Sequence, residues 1–172
     1  MKKIVSEGAA VLREHAKEVS IKEIATPKIK KIVADMKEAL LPHKDGVAIA
    51  APQIGVPLRI FVVSGHVFDP KALLNDDKSQ KRDDIAFINP EIIKVSKEKE
   101  WAPEGCLSVR PWYGEVKRAK KITIRAYDEK GKQTTRGASG LLAQIFQHEI
   151  DHLDGILFID KARHVEQITK ES

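Results

Sequence analysis

Apolar residues recur at helical spacing over Ile29, Ile32, Val33, Met36, Leu40 and Leu41, while Lys28, Lys30, Lys31 and Lys37 belong mainly to the opposite side. This pattern predicts an amphipathic helix near the N-terminus with a solvated lysine face. Thr26-Pro27 predicts its start, a capping hydroxyl before a proline at the first helical position, and Pro42 and Gly46 end it. Residues 1 to 25 show no clear period, so Val11 to Val19 reads as a short turn or irregular segment. Gly46-Val-Ala-Ile-Ala-Ala-Pro-Gln53 is a run of small residues leading through Ile54-Gly55 to a strand over Leu58–Val63. Small side chains let backbone approach another strand or a ligand, and a tightly packed turn uses them too.

The polar, turn-rich stretch from Ser64 to Asp84 reads as a long surface loop. Ile85–Ile88 and Ile92–Ser96 are strand candidates around Asn89-Pro90. Lys121–Tyr127 alternates cleanly, Asp128–Gly131 is a turn, and Lys132–Ala138 is the return strand of a hairpin. Ser139 can cap a second helix that runs to about Leu153, where Asp154-Gly155 stops it. Ile156–Ile159 is a short apolar strand or coil, and a polar tail follows. The expected class is α+β, with antiparallel sheets packed around the second helix.

At 172 residues the chain fits one domain, residues 1–172, with a real core. Its 42% hydrophobic and 32% charged content is that of a soluble globular protein. No apolar run spans a bilayer, and Glu7, Arg13 and Glu14 interrupt the basic start, so a cytoplasmic location is the default expectation. The one cysteine, Cys106, excludes an intramolecular disulfide and leaves a structural, catalytic or metal-ligating role. A net charge of +5 could favour ribosomes, RNA or anionic surfaces, but on charge alone a moderately basic soluble surface is the better explanation. Aromatics are too few, at 5%, to interleave with the basic residues for stacking on single-stranded nucleic acid.

The second helix carries Gln147-His148-Glu149-Ile150-Asp151-His152. Residues four apart share a helix face, so His148 and His152 can point two imidazoles at one metal ion. Glu149 lies about 100° round, beside the metal rather than on it. An ordinary core face of Leu141, Ile145, His148 and His152 has the same spacing, so a third ligand must decide. His148-Glu-x-x-His152-x-x-Gly155 matches the start of the metzincin pattern, which then needs a histidine where this chain has Phe158. A thermolysin-like site needs a later glutamate on a helix, and only Glu166 and Glu171 remain. Upstream, Cys106 in Glu104-Gly-Cys-Leu-Ser108 would complete a Cys-His-His set. Most lone cysteines are buried and inert, but Gly105 frees the backbone here and polar residues flank it.

Gly46–Gln53, Glu104–Ser108 and Gln147–His152, in that order and at that approximate spacing, make the chain resemble the peptide deformylases. The resemblance extends loosely from about Val11 to Asp160. It implies an α+β metallohydrolase that removes the formyl group from formyl-methionyl nascent peptides and releases formate. It implies one divalent metal on Cys106, His148 and His152, Fe(II) in the cell, with Zn, Ni or Co in preparations. Glu149 is then the general base, and the Gln53 amide and the Leu107 backbone N–H donate to the oxyanion. Val47, Leu141 and Ile145 would receive the methionine side chain, and Gly46 and Gly105 would let the peptide backbone lie close. The implied partners are N-formyl-methionyl peptides and, transiently, the ribosome, with no membrane and no specific nucleic-acid sequence.

The chain departs from the family pattern at Ala48, where glycine is usual, at Arg110, where proline is usual, and at Gly8-Ala9, in place of an early Pro-Asp pair. The 64–84 stretch looks long and the tail after Asp160 short. These departures bear on substrate preference and ribosome docking, and leave each presumed catalytic group in place. Two alternatives are a zinc endopeptidase, which lacks its downstream ligand here, and a weakly active or non-catalytic relative, against which the intact Gln53, Cys106, His148, Glu149 and His152 stand.

Overall fold

The computed structural model describes residues 1–69, 71 and 83–168. Helix α1, Pro27–Leu40, buries Ile29, Val33, Met36, Ala39 and Leu40 and turns its lysines outward. Its predicted cap is not made: the Thr26 hydroxyl donates instead to the Glu23 carbonyl at 2.6 Å. Leu41 falls just past the helix end and is exposed, outside the apolar stripe its position suggested.

Five antiparallel strands, β1 (Ala48–Ala50), β2 (Ile60–Val63), β3 (Ile85–Val95), β6 (Lys121–Tyr127) and β7 (Gln133–Ser139), form one sheet in the order β1-β2-β3-β6-β7. Three more, β4 (Lys99–Gly105), β5 (Trp112–Ala119) and β8 (Arg163–Gln167), form a second sheet in the order β4-β5-β8. Helix α2, Gly140–Leu153, carries the histidine motif.

The larger sheet has helix on both faces, and β2 shows why its sequence is apolar throughout. Successive side chains point to opposite faces, so Ile60 and Val62 join α1 while Phe61 and Val63 join Ala143, Ile145, Phe146 and Ile150 of α2. Phe61, Phe87 and Phe146 meet with ring centroids 5.0–5.8 Å apart, fixing α2 on the sheet. A third cluster, with Leu12, Val109, Val116, Leu157 and Phe158, lies against the smaller sheet.

Several expectations need correction. The two strand candidates around Asn89-Pro90 are one strand, β3, whose register shifts between Ile88 and Glu91. Asn89 has φ +52°, and its side chain accepts from Val19 N and donates to Val19 O, both at 2.8 Å. The clamp holds a bulge that reads as a break in sequence. Ile156–Ile159 contributes only to a 3-10 turn, Phe158–Asp160, and the polar tail contains β8. Ser139 makes no side-chain cap to α2. Most of the predicted 64–84 loop lies outside the described residues. Its start is a 3-10 turn, Gly65–Phe68, where Ser64 Oγ accepts from His66 N. Among the described residues no helix is long and apolar enough to cross a membrane.

Candidate metal centre

Three segments converge on one point. The end of β4 delivers Glu104, Gly105 and Cys106, the 3-10 turn Ala51–Ile54 delivers Gln53, and α2 delivers His148, Glu149 and His152. Gln147 pins the helix here. Its Oε1 accepts from Ala119 N, and its Nε2 donates to Ala119 O and Ala143 O, each at 2.9 Å. The far end of α2 is tied by Arg59 Nη1, which donates to Leu153 O at 3.0 Å.

The ligand atoms of Cys106, His148 and His152 lie within 4.8 Å of one another. Cys106 Sγ is 3.3 Å from His152 Nε2. His148 Nδ1 donates to Glu104 Oε1 at 2.8 Å. That bond selects the tautomer and leaves Nε2 to face the cysteine and the second histidine. Arg118 holds Glu104 in turn, with Nε and Nη2 each donating to a carboxylate oxygen at 2.7 Å. Its Nη1 donates to Asp151 at 2.7 Å. Burial pushes the Glu104 carboxyl up, but the hydrogen bonds from Arg118 and His148 outweigh it and hold the group at about 2. Glu104 is therefore a carboxylate at any working pH.

Glu149 is the opposite case. It is 4% exposed, and burial pushes its carboxyl up to about 7. Its Oε2 is buried without a hydrogen-bond partner among the described residues, and so is His152 Nδ1. Burial and the neighbouring His148 drive His152 towards the neutral imidazole. At His148 burial works against the charged form, but Cys106, Glu104 and Glu149 outweigh it, so this point attracts positive charge. One sulfur, two imidazoles and an unpartnered buried carboxylate oxygen fit a divalent, borderline-soft metal ion.

Gln53 is 1% exposed, and its orientation is fixed: Oε1 accepts from Ala50 N at 2.9 Å, while Nε2 donates to Ser108 Oγ at 3.1 Å and approaches Cys106 Sγ at 3.5 Å. Gly46, Val47, Gln53, Gly105, Cys106, Leu107, Leu141, Ile145, His148 and Glu149 all line one pocket. His152 is not among the lining residues; it is 1% exposed, with Nε2 3.3 Å from Cys106 Sγ. Ile145 is buried, whereas Leu141 is exposed at the rim. The two glycines are already tightly surrounded. A Cβ on Gly105 would stand 2.5 Å from the Tyr113 ring, and one on Gly46 would stand 3.1 Å from the Leu40 side chain.

Glu104 and Arg118 carry functions that sequence reasoning missed. Glu104 stands in the Glu104–Ser108 block, two residues before Cys106, and a carboxylate so close to a candidate ligand is itself the signal for a histidine anchor. Arg118 offered no local signal, because its partners lie 14 and 33 residues away.

The family model for polypeptide deformylase matches residues 1–168. The peptide deformylase of Carboxydothermus hydrogenoformans is 45% identical over 163 residues, covering 95% of this chain and 94% of that protein. That of Desulforudis audaxviator is 41% identical over 152 residues, covering 88% and 87%. Among solved structures, a peptide deformylase from Legionella pneumophila has a TM-score of 0.78 at 36% identity, covering 95% of this chain and 87% of that one. One from Synechococcus elongatus, in complex with actinonin, has a TM-score of 0.77 at 31% identity, covering 94% and 78%. With a deformylase-like fold of antiparallel sheets and, among the described residues, the two long helices α1 and α2, and a match along nearly its whole length, the chain belongs to the peptide deformylases, metal-dependent hydrolases that remove the formyl group from nascent peptides.

Proposed function

We propose that residues 1–172 form a single catalytic domain in which Cys106, His148 and His152 hold one divalent metal and Glu149 moves the protons of formyl-amide hydrolysis. In this reading α2 is the central element, and α1 is the amphipathic helix that covers the far face of the larger sheet. The observation that carries it is the convergence of one sulfur and two imidazoles within 4.8 Å, beside a buried carboxylate with an unpartnered oxygen. The ligand set suits iron, zinc, nickel or cobalt. We assign Fe(II) in the cell, with Zn, Ni or Co in preparations. Bound there, the ion would act as a Lewis acid and lower the pKa of a water towards neutrality.

Glu149 takes a proton from the attacking water. Burial favours the protonated form of this carboxyl, so it can hold the proton it takes until the amine departs. The hydroxide adds to the formyl carbon, the carbon–nitrogen bond breaks, and Glu149 passes its proton to the departing amine, leaving formate and a free N-terminus. Gln53 Nε2, aimed by the bond from Ala50 N to Oε1, and the Leu107 backbone N–H donate to the developing oxyanion. Losing one such donor costs about a hundred- to a thousand-fold in rate. Glu104 keeps His148 in its ligating tautomer. Val47, Leu141 and Ile145 receive the methionine side chain, and Gly46 and Gly105 border the peptide backbone.

The partners are N-formyl-methionyl peptides. A transient ribosome association is favoured by the net charge of +5. The cytoplasm, where bacterial translation supplies such chains, is the assigned compartment, in line with the bacterial relatives. No observation favours the endopeptidase or the inactive relative.

Substituting Cys106→Ser tests the ligand set. The Co(II)-loaded parent should bind one ion per chain and show a sulfur-to-cobalt charge-transfer absorption. The variant should lose that absorption together with turnover of a formyl-methionyl peptide. Full turnover in Cys106→Ser would count against the cysteine ligand and for a protease-type site.

A further inference from the structure

Asp45 and Arg110 meet as an exposed ion pair in the lining of the pocket. Asp45 comes just before Gly46 and Val47 on the way into β1, and Arg110 lies in the turn that takes the chain from Cys106 into β5. Both line the pocket that holds Cys106 and Glu149. Arg110 Nη2 donates to Asp45 Oδ1 at 2.6 Å, across 65 residues of sequence. The two side chains are 39% and 59% exposed. A pair this open to water is weakly held and readily exchanges partners.

The other carboxylates of the lining are engaged or buried. Glu104 is tied to Arg118 and His148, and Glu149 lies deep beside the ligands. The rest of a peptide whose formyl end reaches Glu149 must leave the pocket, and Arg110 is a solvent-exposed cation in its lining. A guanidinium presents several donors in a planar fork that matches a carboxylate. Among the described residues Asp45 engages one of its nitrogens.

We propose that Arg110 is a specificity-determining residue that binds an acidic side chain in the first two residues after formyl-methionine. Asp45 is its competitor within the chain: it engages a guanidinium nitrogen that a substrate carboxylate would otherwise take. The proposal rests on the deformylase reading of this pocket. Side chains of an extended peptide alternate in direction, so one of the two positions faces Arg110 and both are probed.

The test measures kcat/KM for formate release from C-terminally amidated formyl-Met-Glu-Ser, formyl-Met-Lys-Ser, formyl-Met-Ala-Glu and formyl-Met-Ala-Lys. Parent, Arg110→Gln and Asp45→Asn are compared in the metal-loaded protein. The parent should favour glutamate over lysine at one position by about two- to fivefold, the range of an exposed ion pair. Arg110→Gln should bring that ratio near one. Asp45→Asn should raise it above the parent's, and salt should lower it in both arginine-containing proteins. Ratios are taken within each variant, so a general loss of activity does not mimic the effect. A parental ratio at or below one at both positions, or a ratio that Arg110→Gln leaves unchanged, overturns the proposal while the deformylase reading stands. Release from none of the peptides overturns both.

Discussion

Glu149 is a carboxylate that the fold favours protonated, because its burial opposes the charge. In the unfolded chain it titrates at its ordinary value of 4.5, and in the folded metal-free protein at about 7. Between these values the unfolded state has released the proton and the folded state has kept it. The group therefore lowers stability progressively as pH rises from 4.5 to 7, and by a constant amount above that. A neutral amide escapes the effect. Metal-free Glu149→Gln should match the parent near pH 4 and exceed it by at most about 3 kcal/mol above pH 7, read by denaturant unfolding in chelator. A stability difference that does not grow with pH would contradict the burial argument.

Arg118 makes the reverse case. It is 5% exposed and neutralises two carboxylates, so removing it strands Glu104 beside His148, a proposed metal ligand. Arg118→Met should cost about 3–5 kcal/mol of stability and weaken metal binding about ten- to a hundred-fold through the loosened Glu104–His148 pair. Unfolding and metal titration check the two effects separately. The histidines and Glu149 were legible because helix periodicity fixes which residues share a face. Cys106 emerged from its glycine neighbour and its block. Arg118 was not legible, because nothing local marks a side chain whose partners are brought to it only by folding.

At the scale of elements, legibility followed one-sided burial. Lys121–Tyr127 alternates between buried and half-exposed positions, and its strand was read to the residue. The α1 stripe was as clear. By contrast β8 is exposed at every position and offers no alternation. β5 mixes charged residues with buried Gly114, Val116 and Arg118, so its inward face includes a charge. The Asn89 bulge split β3 because a positive φ and a clamped amide interrupt the period. The pairing of β4 with β5 also places Tyr113 opposite Gly105. Gly105→Ala should therefore destabilise the protein by about 1–3 kcal/mol through overpacking. Gly105→Ala combined with Tyr113→Ser should recover much of that in a double-mutant cycle. Additive losses would mean that the ring is not what excludes a side chain at Gly105.

At the scale of the molecule, the site exists because two separate sheets meet at α2. The larger sheet brings the strand edge and Gln53, the smaller sheet brings Cys106, and the helix brings the histidines and Glu149. The class and a candidate site were readable before the strand order because the candidate chemistry sits in three short blocks. The way the two sheets share one helix follows from pairings between residues far apart in the chain. The most direct test is formate release from formyl-Met-Ala-Ser by anaerobically purified, Fe(II)-loaded protein, measured beside Glu149→Ala with its metal content determined. Robust release by the parent and loss of at least a hundred-fold in a variant that still binds one ion is the predicted result. Comparable release by metal-loaded Glu149→Ala, or none by a folded, metal-loaded parent, would contradict the account.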